Sequence, residues 1–188
     1  DTRDLYAQWS KSYDQEVAEN GYATPSRAAK ALASHVEDLR TPVLDYGCGT
    51  GLSGMALRKV GFSNLHGIDV SKEMVTIAND KKAYQTLRVF DPDAEPPLKT
   101  GEFEIITAIG VIGIGAAPLT IFDTIISLLV PGGLFAFSFN DHTLADPAFE
   151  AKVSDSVDTG EAKLILREYG DHLPGAGLKS NVYILKIL

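Results

Sequence analysis

The chain of 188 residues is long enough for one domain with a full hydrophobic core and too short for two. Apolar residues make up 45% and charged residues 22%, and no apolar run approaches the roughly 20 residues a membrane helix needs, which argues against a membrane-embedded protein. Seventeen basic against 25 acidic residues give a net charge of -8, and the densest basic clusters are pairs such as Lys81-Lys82, which disfavours a nucleic-acid substrate.

Cys48 is the single cysteine, so no intrachain disulfide forms. The chain opens with no basic, apolar leader, and a cytoplasmic protein is expected.

Leu5, Trp9, Tyr13 and Val17 recur every fourth residue with Tyr6 beside them, which predicts an amphipathic helix stopped by Gly21. Thr24-Pro25 reads as N-cap and first residue of a second helix. Its stripe of Ala28, Leu32, Val36 and Leu39 predicts a helix reaching almost to Pro42. Residues 41–46 read as the first strand, followed by the turn Gly47-Cys48-Gly49-Thr50-Gly51. A helix over 52–60, a strand over 64–69 and a helix over 72–82 capped by Ser71 come next.

Residues 86–90 read as a short third strand, 91–100 as an acidic, proline-rich loop and 103–109 as a fourth strand. A glycine-punctuated loop, 110–117, leads to an apolar helix over 119–129. Pro131-Gly132-Gly133 is a turn before the fifth strand, 134–140. A helix over 144–155 and two strands, 162–169 and 182–188, complete the chain, the strands joined by a turn-rich segment over 170–180. Strands alternating with helices predict a mostly parallel sheet, and the last two strands, with no helix between them, a hairpin.

The chemistry concentrates in two acids and a glycine turn. Asp45 ends the first strand before Gly47, Gly49 and Gly51, and Asp69 ends the second strand. Open parallel sheets bind ligands at the carboxyl ends of their strands, where glycines admit close backbone approach. Asp69 can accept from both hydroxyls of a ribose. A carboxylate at Asp45 would repel a pyrophosphate but could hold an ammonium, directly or through water. Gly49-Thr50-Gly51-Leu52-Ser53-Gly54 also fits the weak G-x-G-x-x-G pattern, which keeps an NAD(P)-binding oxidoreductase open as an alternative. Cys48 reads as a small residue suited to a tight turn.

Val43 to Gly51, Gly67-Ile68-Asp69-Val70-Ser71, Phe103-Glu104-Ile105-Ile106 and Leu129-Val130-Pro131-Gly132-Gly133-Leu134 together resemble the successive motifs of the class I S-adenosylmethionine (SAM)-dependent methyltransferases. The opening residues Tyr6, Trp9, Tyr13-Asp14, Gly21-Tyr22, Pro25 and Ala28, with the closing Gly170 to Gly175 and Lys179-Ser180, resemble a small subgroup related to the Williams–Beuren-region methyltransferase-like proteins. The resemblance implies an α/β, Rossmann-like fold: a seven-stranded, mostly parallel sheet of order 3-2-1-4-5-7-6, strand 7 antiparallel, with helices on both faces. It also implies S-adenosyl-L-methionine as cofactor and S-adenosyl-L-homocysteine (SAH) as product. Residues 1–188 then form a single domain, with 1–40 as N-terminal helical lid and first helix.

On that footing the candidate cofactor-binding residues are Asp45, Gly47, Gly49, Gly51, Asp69, Val70, Met74, Asp91 and Ala108. Met74 is placed to cover the adenine, and Asp91, ending the third strand, to accept from its amino group, with Asp93 as the other choice. His142, just after the fifth strand, is the first candidate base and His172 the second. Tyr13, with Tyr6 and Trp9, is a candidate for an aromatic lid that excludes water.

The acceptor is expected to be a small molecule, with no nucleic-acid or membrane partner and an open oligomeric state. The Asn-Pro-Pro-aromatic motif of amino-directed DNA methyltransferases is missing after the fourth strand, and so is the histidine that many small-molecule relatives carry there. A catalytically silent SAM-binding module is therefore a further alternative. No metal-ligand spacing is legible in four scattered histidines and one cysteine.

Overall fold

A computed structural model describes residues 2–188, apart from the side chains of residues 2–7, 9 and 10. The N-terminal helix α1 spans Thr2–Glu19 and α2 spans Thr24–Ala33. The alternating part of the chain then runs β1 (Val43–Tyr46), α3 (Leu52–Lys59), β2 (Leu65–Asp69), α4 (Lys72–Asp80), β3 (Thr86–Val89), β4 (Ile105–Ala108), α5 (Thr120–Leu128) and β5 (Leu134–Asn140). Two helices follow, α6 (Asp141–Leu144) and α7 (Pro147–Asp158), and then the hairpin β6 (Ala162–Leu173) and β7 (Leu178–Ile187).

The seven strands form one sheet of order β3-β2-β1-β4-β5-β7-β6. All neighbours are parallel except β5–β7 and β6–β7, so β7 is the antiparallel strand. The expected fold and strand order are those of the molecule. No described helix is long and apolar enough to cross a membrane.

Alternation along the strands builds the two faces of the sheet. Val43, Leu65, Ile105, Ala136 and Ile184 pack with Ala29 and Leu32 of α2 and Leu57 of α3. Leu44, Tyr46, Ile68, Ile106, Phe135, Phe137 and Phe139 pack on the other face, with Phe122 and Ile125 of α5 and Phe149 and Val153 of α7. In β5 the three phenylalanines fall on this second face: Phe137 stacks on Phe135 at 4.5 Å and on Tyr183 at 4.7 Å between ring centroids. The small Ala136 lets α2 approach on the other face.

Several element boundaries differ from the expectation, each for a local reason. Helix α2 stops at Ala33, short of Val36 and Leu39. The hydroxyl of Ser34 donates to the Ala31 carbonyl at 2.7 Å and Nδ1 of His35 meets the same oxygen at 2.8 Å, so side chains take a bond the next helical turn needs. Val36 and Leu39 still pack on the core from the loop beyond. Thr24 does not cap α2; its hydroxyl turns to His172 and Ser180 instead. The single helix expected over 144–155 is two. Asp146 accepts from the Ala148 amide and caps a new helix with Pro147 at its first position, where the missing N–H costs nothing. The turn-rich segment 170–180 is mostly strand: β6 and β7 pair through Leu173–Leu178, absorbing irregularities near Leu164 and Asp171 as bulges.

Candidate active site

The carboxyl ends of β1, β2 and β4 meet under the N-terminal helices. Here Gly47 and Cys48 both donate their amides to the Ile68 carbonyl, at 2.8 and 3.0 Å, which ties the turn after β1 to β2. Gly47 adopts φ +70, and a Cβ there would lie 2.7 Å from both methyls of Val111. Gly49, at φ +54, has open space where its Cβ would be. A side chain is thus excluded at one glycine by a neighbour, and at the other the bare backbone faces space a ligand can enter.

Asp69 sits at the end of β2 as expected and also organises the turn. One carboxylate oxygen accepts the Gly49 amide at 2.8 Å and the other the Ser71 amide at 2.9 Å. A carboxylate has about four lone-pair sites, so two backbone bonds leave room for the two hydroxyls of a ribose. The chain continues into α4, with the Ser71 hydroxyl accepting the Met74 amide at 3.2 Å, and Met74 lies half-buried in the first turn. Val70 is exposed between acid and cap.

Asp45 differs from its expected role. It faces α3 from within the sheet and is 1% exposed. Its carboxylate accepts the hydroxyls of Ser53 at 2.5 Å, Tyr84 at 2.5 Å and Thr107 at 2.8 Å. Burial pushes its carboxyl above the usual range, and the three hydroxyl bonds draw it back. No face of Asp45 is open for direct contact with an ammonium. The acid instead binds β1 to β4, α3 and the loop before β3.

Asp91 is also placed differently. The strand β3 ends at Val89, and Asp91 lies exposed two residues on, its carboxylate accepting the Asp93 amide at 2.9 Å in a tight turn. A short polar side chain holding its own backbone ends extended structure early. Phe90 reaches inward instead, edge-on to Tyr46 at 5.7 Å. Ala108 is the last residue of β4 and fully buried, so only its backbone is available at the site.

The roof comes from α1 and the link to α2. A cavity of about 80 Å³ is lined by Tyr13, Tyr22, Pro25, residues 47–50, Leu52, Ser53, Ile109 and Gly110. Tyr13 is 37% exposed, and burial together with the neighbouring Asp14 and Glu16 carboxylates raises its phenol. Tyr6 and Trp9, expected beside it, lie outside the described side chains.

Asp14 fastens this roof. One of its oxygens accepts the Thr50 hydroxyl at 2.6 Å and the other the Lys81 ammonium at 2.6 Å, while Lys81 also donates to the Thr50 carbonyl at 2.5 Å. Sequence reasoning did not single out this trio for function, because an acid on a helix and one lysine of a pair both look like solvated surface.

His142 is exposed in α6 and does not line the cavity. His172 is buried, its Nδ1 2.7 Å from the Thr24 hydroxyl and its ring edge-on to Tyr22 at 5.4 Å. Burial lowers its pKa, keeping the ring neutral at neutral pH. Cys48 is buried and its thiol is pushed up by burial and by Asp45 and Asp69, so it stays a thiol.

A family model described as a methyltransferase domain matches residues 13–174. The human methyltransferase-like protein 27 is 34% identical over 136 residues, which cover 69% of this chain and 54% of that protein. The chain thus spans about half the length of this relative. Among solved structures, the complex of the Haloferax volcanii Trm112 methyltransferase activator with a methyltransferase matches at a TM-score of 0.69 and 17% identity, covering 100% of this chain and 97% of the other. The magnesium protoporphyrin IX methyltransferase of Synechocystis PCC 6803 with bound SAM matches at 0.64 and 16%, covering 87% and 79%. These two likenesses are likenesses of fold.

Proposed function

The chain belongs to the SAM-dependent methyltransferase family, and we propose that it transfers the methyl group to a small-molecule acceptor in the cleft between the glycine turn and α1. The observation that carries the reading is the Asp69 carboxylate, which joins the end of β2 to the half-buried backbone of Gly49. An acid able to accept from a ribose and a glycine turn with space beside it lie in one crevice, which supports a nucleoside with a short charged tail. A structural neighbour of this fold holds SAM.

The residues fit the group. Asp69 takes the ribose hydroxyls, Met74 and Val70 flank the adenine, and Gly47 and Gly49 pass under the amino-acid end. Gly51, Asp91 and Ala108 contribute through backbone and turn shape. When bound, the donor supplies an electrophilic methyl on a cationic sulfur, whose C–S electron pair returns to sulfur as the acceptor's lone pair displaces it. The chain's own work is orientation and exclusion of water. Tyr13 closes the roof over the crevice. His142, exposed in α6 outside the closed cavity, is the candidate base only for an acceptor that reaches it once the lid has opened, and His172 holds the wall behind Tyr22.

A small cavity beneath Tyr13 and Tyr22 supports a small acceptor, as does the acidic net charge of -8. Ligand sites for molecules of this size occupy roughly 300–1,000 Å³. The 80 Å³ cavity describes a closed roof, and the donor enters when α1 swings away from Thr50 and Lys81. On this reading the chain is a single domain in which α1 is the lid and α2 the first helix packed on the sheet.

Calorimetric titration with SAM, SAH and NAD tests the assignment. SAM and SAH should bind, NAD should not, and Asp69→Ala should weaken both ligands together. Binding of NAD alone would replace the reading with an oxidoreductase.

A further inference from the structure

A second groove opens where α6 and α7 meet the hairpin. Its volume is about 520 Å³, and it is lined by Asp141, Leu144, Glu150, Arg167, Tyr169 and Asn181. Small-molecule sites usually occupy roughly 300–1,000 Å³. None of these residues lines the cavity under α1.

The floor of the groove breaks the chemistry of its sheet face. Phe139, Asn181 and Tyr169 stand in one row across β5, β7 and β6, and Phe137, Tyr183 and Arg167 in the next. Residues opposite one another share a face. An aromatic face in β5 thus turns polar in β7, although Asn181 is 5% exposed and Tyr183 fully buried. The Tyr183 hydroxyl donates to the Glu150 carboxylate. Burial and that bond raise the phenol, so it keeps its proton. The Asn181 amide nitrogen donates to the same carboxylate at 2.9 Å and to the Tyr183 oxygen at 3.0 Å. An apolar residue at 181 would continue the aromatic face with no polar group to satisfy.

The network leaves binding capacity facing the groove. Its contacts to Glu150 all fall on one oxygen, Oε1, where the Arg167 guanidinium also arrives at 3.3 Å. The second oxygen is not used in the network, and Asn181 enters it only through its nitrogen. Arg167 is half-exposed, and one of its nitrogens meets Glu150. A guanidinium carries five N–H donors, so others can serve a ligand. The exposed ring of Tyr169 forms a wall. Its hydroxyl donates to Asp141 at 2.6 Å, and Asp141 accepts the Lys179 amide at 2.9 Å. The Lys179 ammonium lies 5.6 Å from the ring centroid. Two carboxylates and two cations therefore balance around the groove, with opposite charges side by side at Glu150 and Arg167.

We propose that this groove binds a free α-amino acid with an apolar side chain. The ammonium donates to the second oxygen of Glu150 and to the Asn181 amide oxygen. The carboxylate accepts from Arg167, and the side chain lies between Leu144 and the Tyr169 ring. A ligand carrying both charges on neighbouring atoms matches a neutral site whose own charges are adjacent, whereas an anion or a cation alone leaves one of them unmet.

Calorimetric titration with L-leucine and L-phenylalanine tests the proposal, with SAH present at saturation to keep both out of the donor cleft. Wild type should bind the two amino acids. Their N-acetyl and methyl ester derivatives each lack one charge and should bind roughly tenfold more weakly or worse. Arg167→Gln, at the surface, should weaken the free amino acids by a similar factor and leave the ester, which has no carboxylate, where it was. Tyr169→Ser should weaken both amino acids without touching either charge pair. Silence of wild type toward both amino acids would overturn the proposal, as would derivatives that bind equally well. So would either variant binding the amino acids as tightly as wild type, or Arg167→Gln weakening the ester as much as the free acid. Failure of SAH to bind would count against the donor reading and leave the outcome at this groove unaffected.

Discussion

The floor and the roof of the cleft are built by opposite means. The floor is woven into the sheet: Asp45 receives three hydroxyls from three separate elements, and Asp69 receives two backbone amides. In the roof, Asp14 reaches two partners from α1, where most of the other described side chains are exposed and Val17 is buried. Contacts buried within parallel strands are lost only when the domain unfolds, whereas one half-buried ion pair and hydroxyl can open alone. On the proposed reading, the difference teaches where rigidity is placed: the surface that would receive the donor is preorganised, and access would be controlled by an element of lower local stability.

The largest expected effect breaks the floor. Asp45→Ala leaves the hydroxyls of Ser53, Tyr84 and Thr107 buried without an acceptor and should lower unfolding stability by about 3–4 kcal/mol, read in a urea titration. A loss under 1 kcal/mol would mean that the three hydroxyls find other acceptors and that the floor is less tightly woven. Asp69→Ala comes next. It removes the ribose acceptor and frees the Gly49 amide, so SAM and SAH affinity should fall on the order of 10- to 100-fold. Unaltered affinity would place the ribose elsewhere.

Loosening the roof should act differently. Asp14→Asn and Lys81→Met each remove a charge-assisted bond worth roughly 1–2 kcal/mol at this exposure. Amide exchange in α1 should quicken by about 5- to 30-fold while that of β1 and β4 stays unchanged, and SAM should associate faster. Equal acceleration in roof and floor would show that the two are one cooperative unit.

The smallest effect lies at the boundary, in His172. Its folded pKa is lowered by burial, so below its ordinary value of about 6.5 the unfolded chain binds more protons than the folded one. Stability should therefore decline as pH falls below about 6.5, with a contribution from this residue no steeper than about 1.4 kcal/mol per pH unit. His172→Gln should flatten part of that slope. His66, lowered for the same first cause, supplies another part, so the slope should not vanish.

Much of this arrangement was legible in the chain. The strand after Pro42 and the glycine turn, Asp69 before its Ser71 cap, and the Pro131-Gly132-Gly133 turn before β5 are all local signals, and they lie where expected. The boundaries that moved did so where a short-range bond competed with the pattern, as at Ser34, Asp146 and Asp91. In the site, the sequence offers Asp45 as an acid that could hold an ammonium, directly or through water, because it precedes the glycine turn. Its direction was decided by Ser53, Tyr84 and Thr107, which lie 8, 39 and 62 residues away.

By itself, then, the sequence determined the order of elements, the mostly parallel sheet and the crevice at its carboxyl ends. Those follow from hydrophobic period, turn chemistry and the handed packing of strand–helix–strand units, which act over short spans of chain. Only the tertiary structure decided which polar groups find one another. Asp14 meets Lys81 across 67 residues, and Thr24 meets His172 across 148. A hydroxyl or carboxylate has no periodicity that announces its partner. Its role depends on the burial and on the neighbours that folding brings to it.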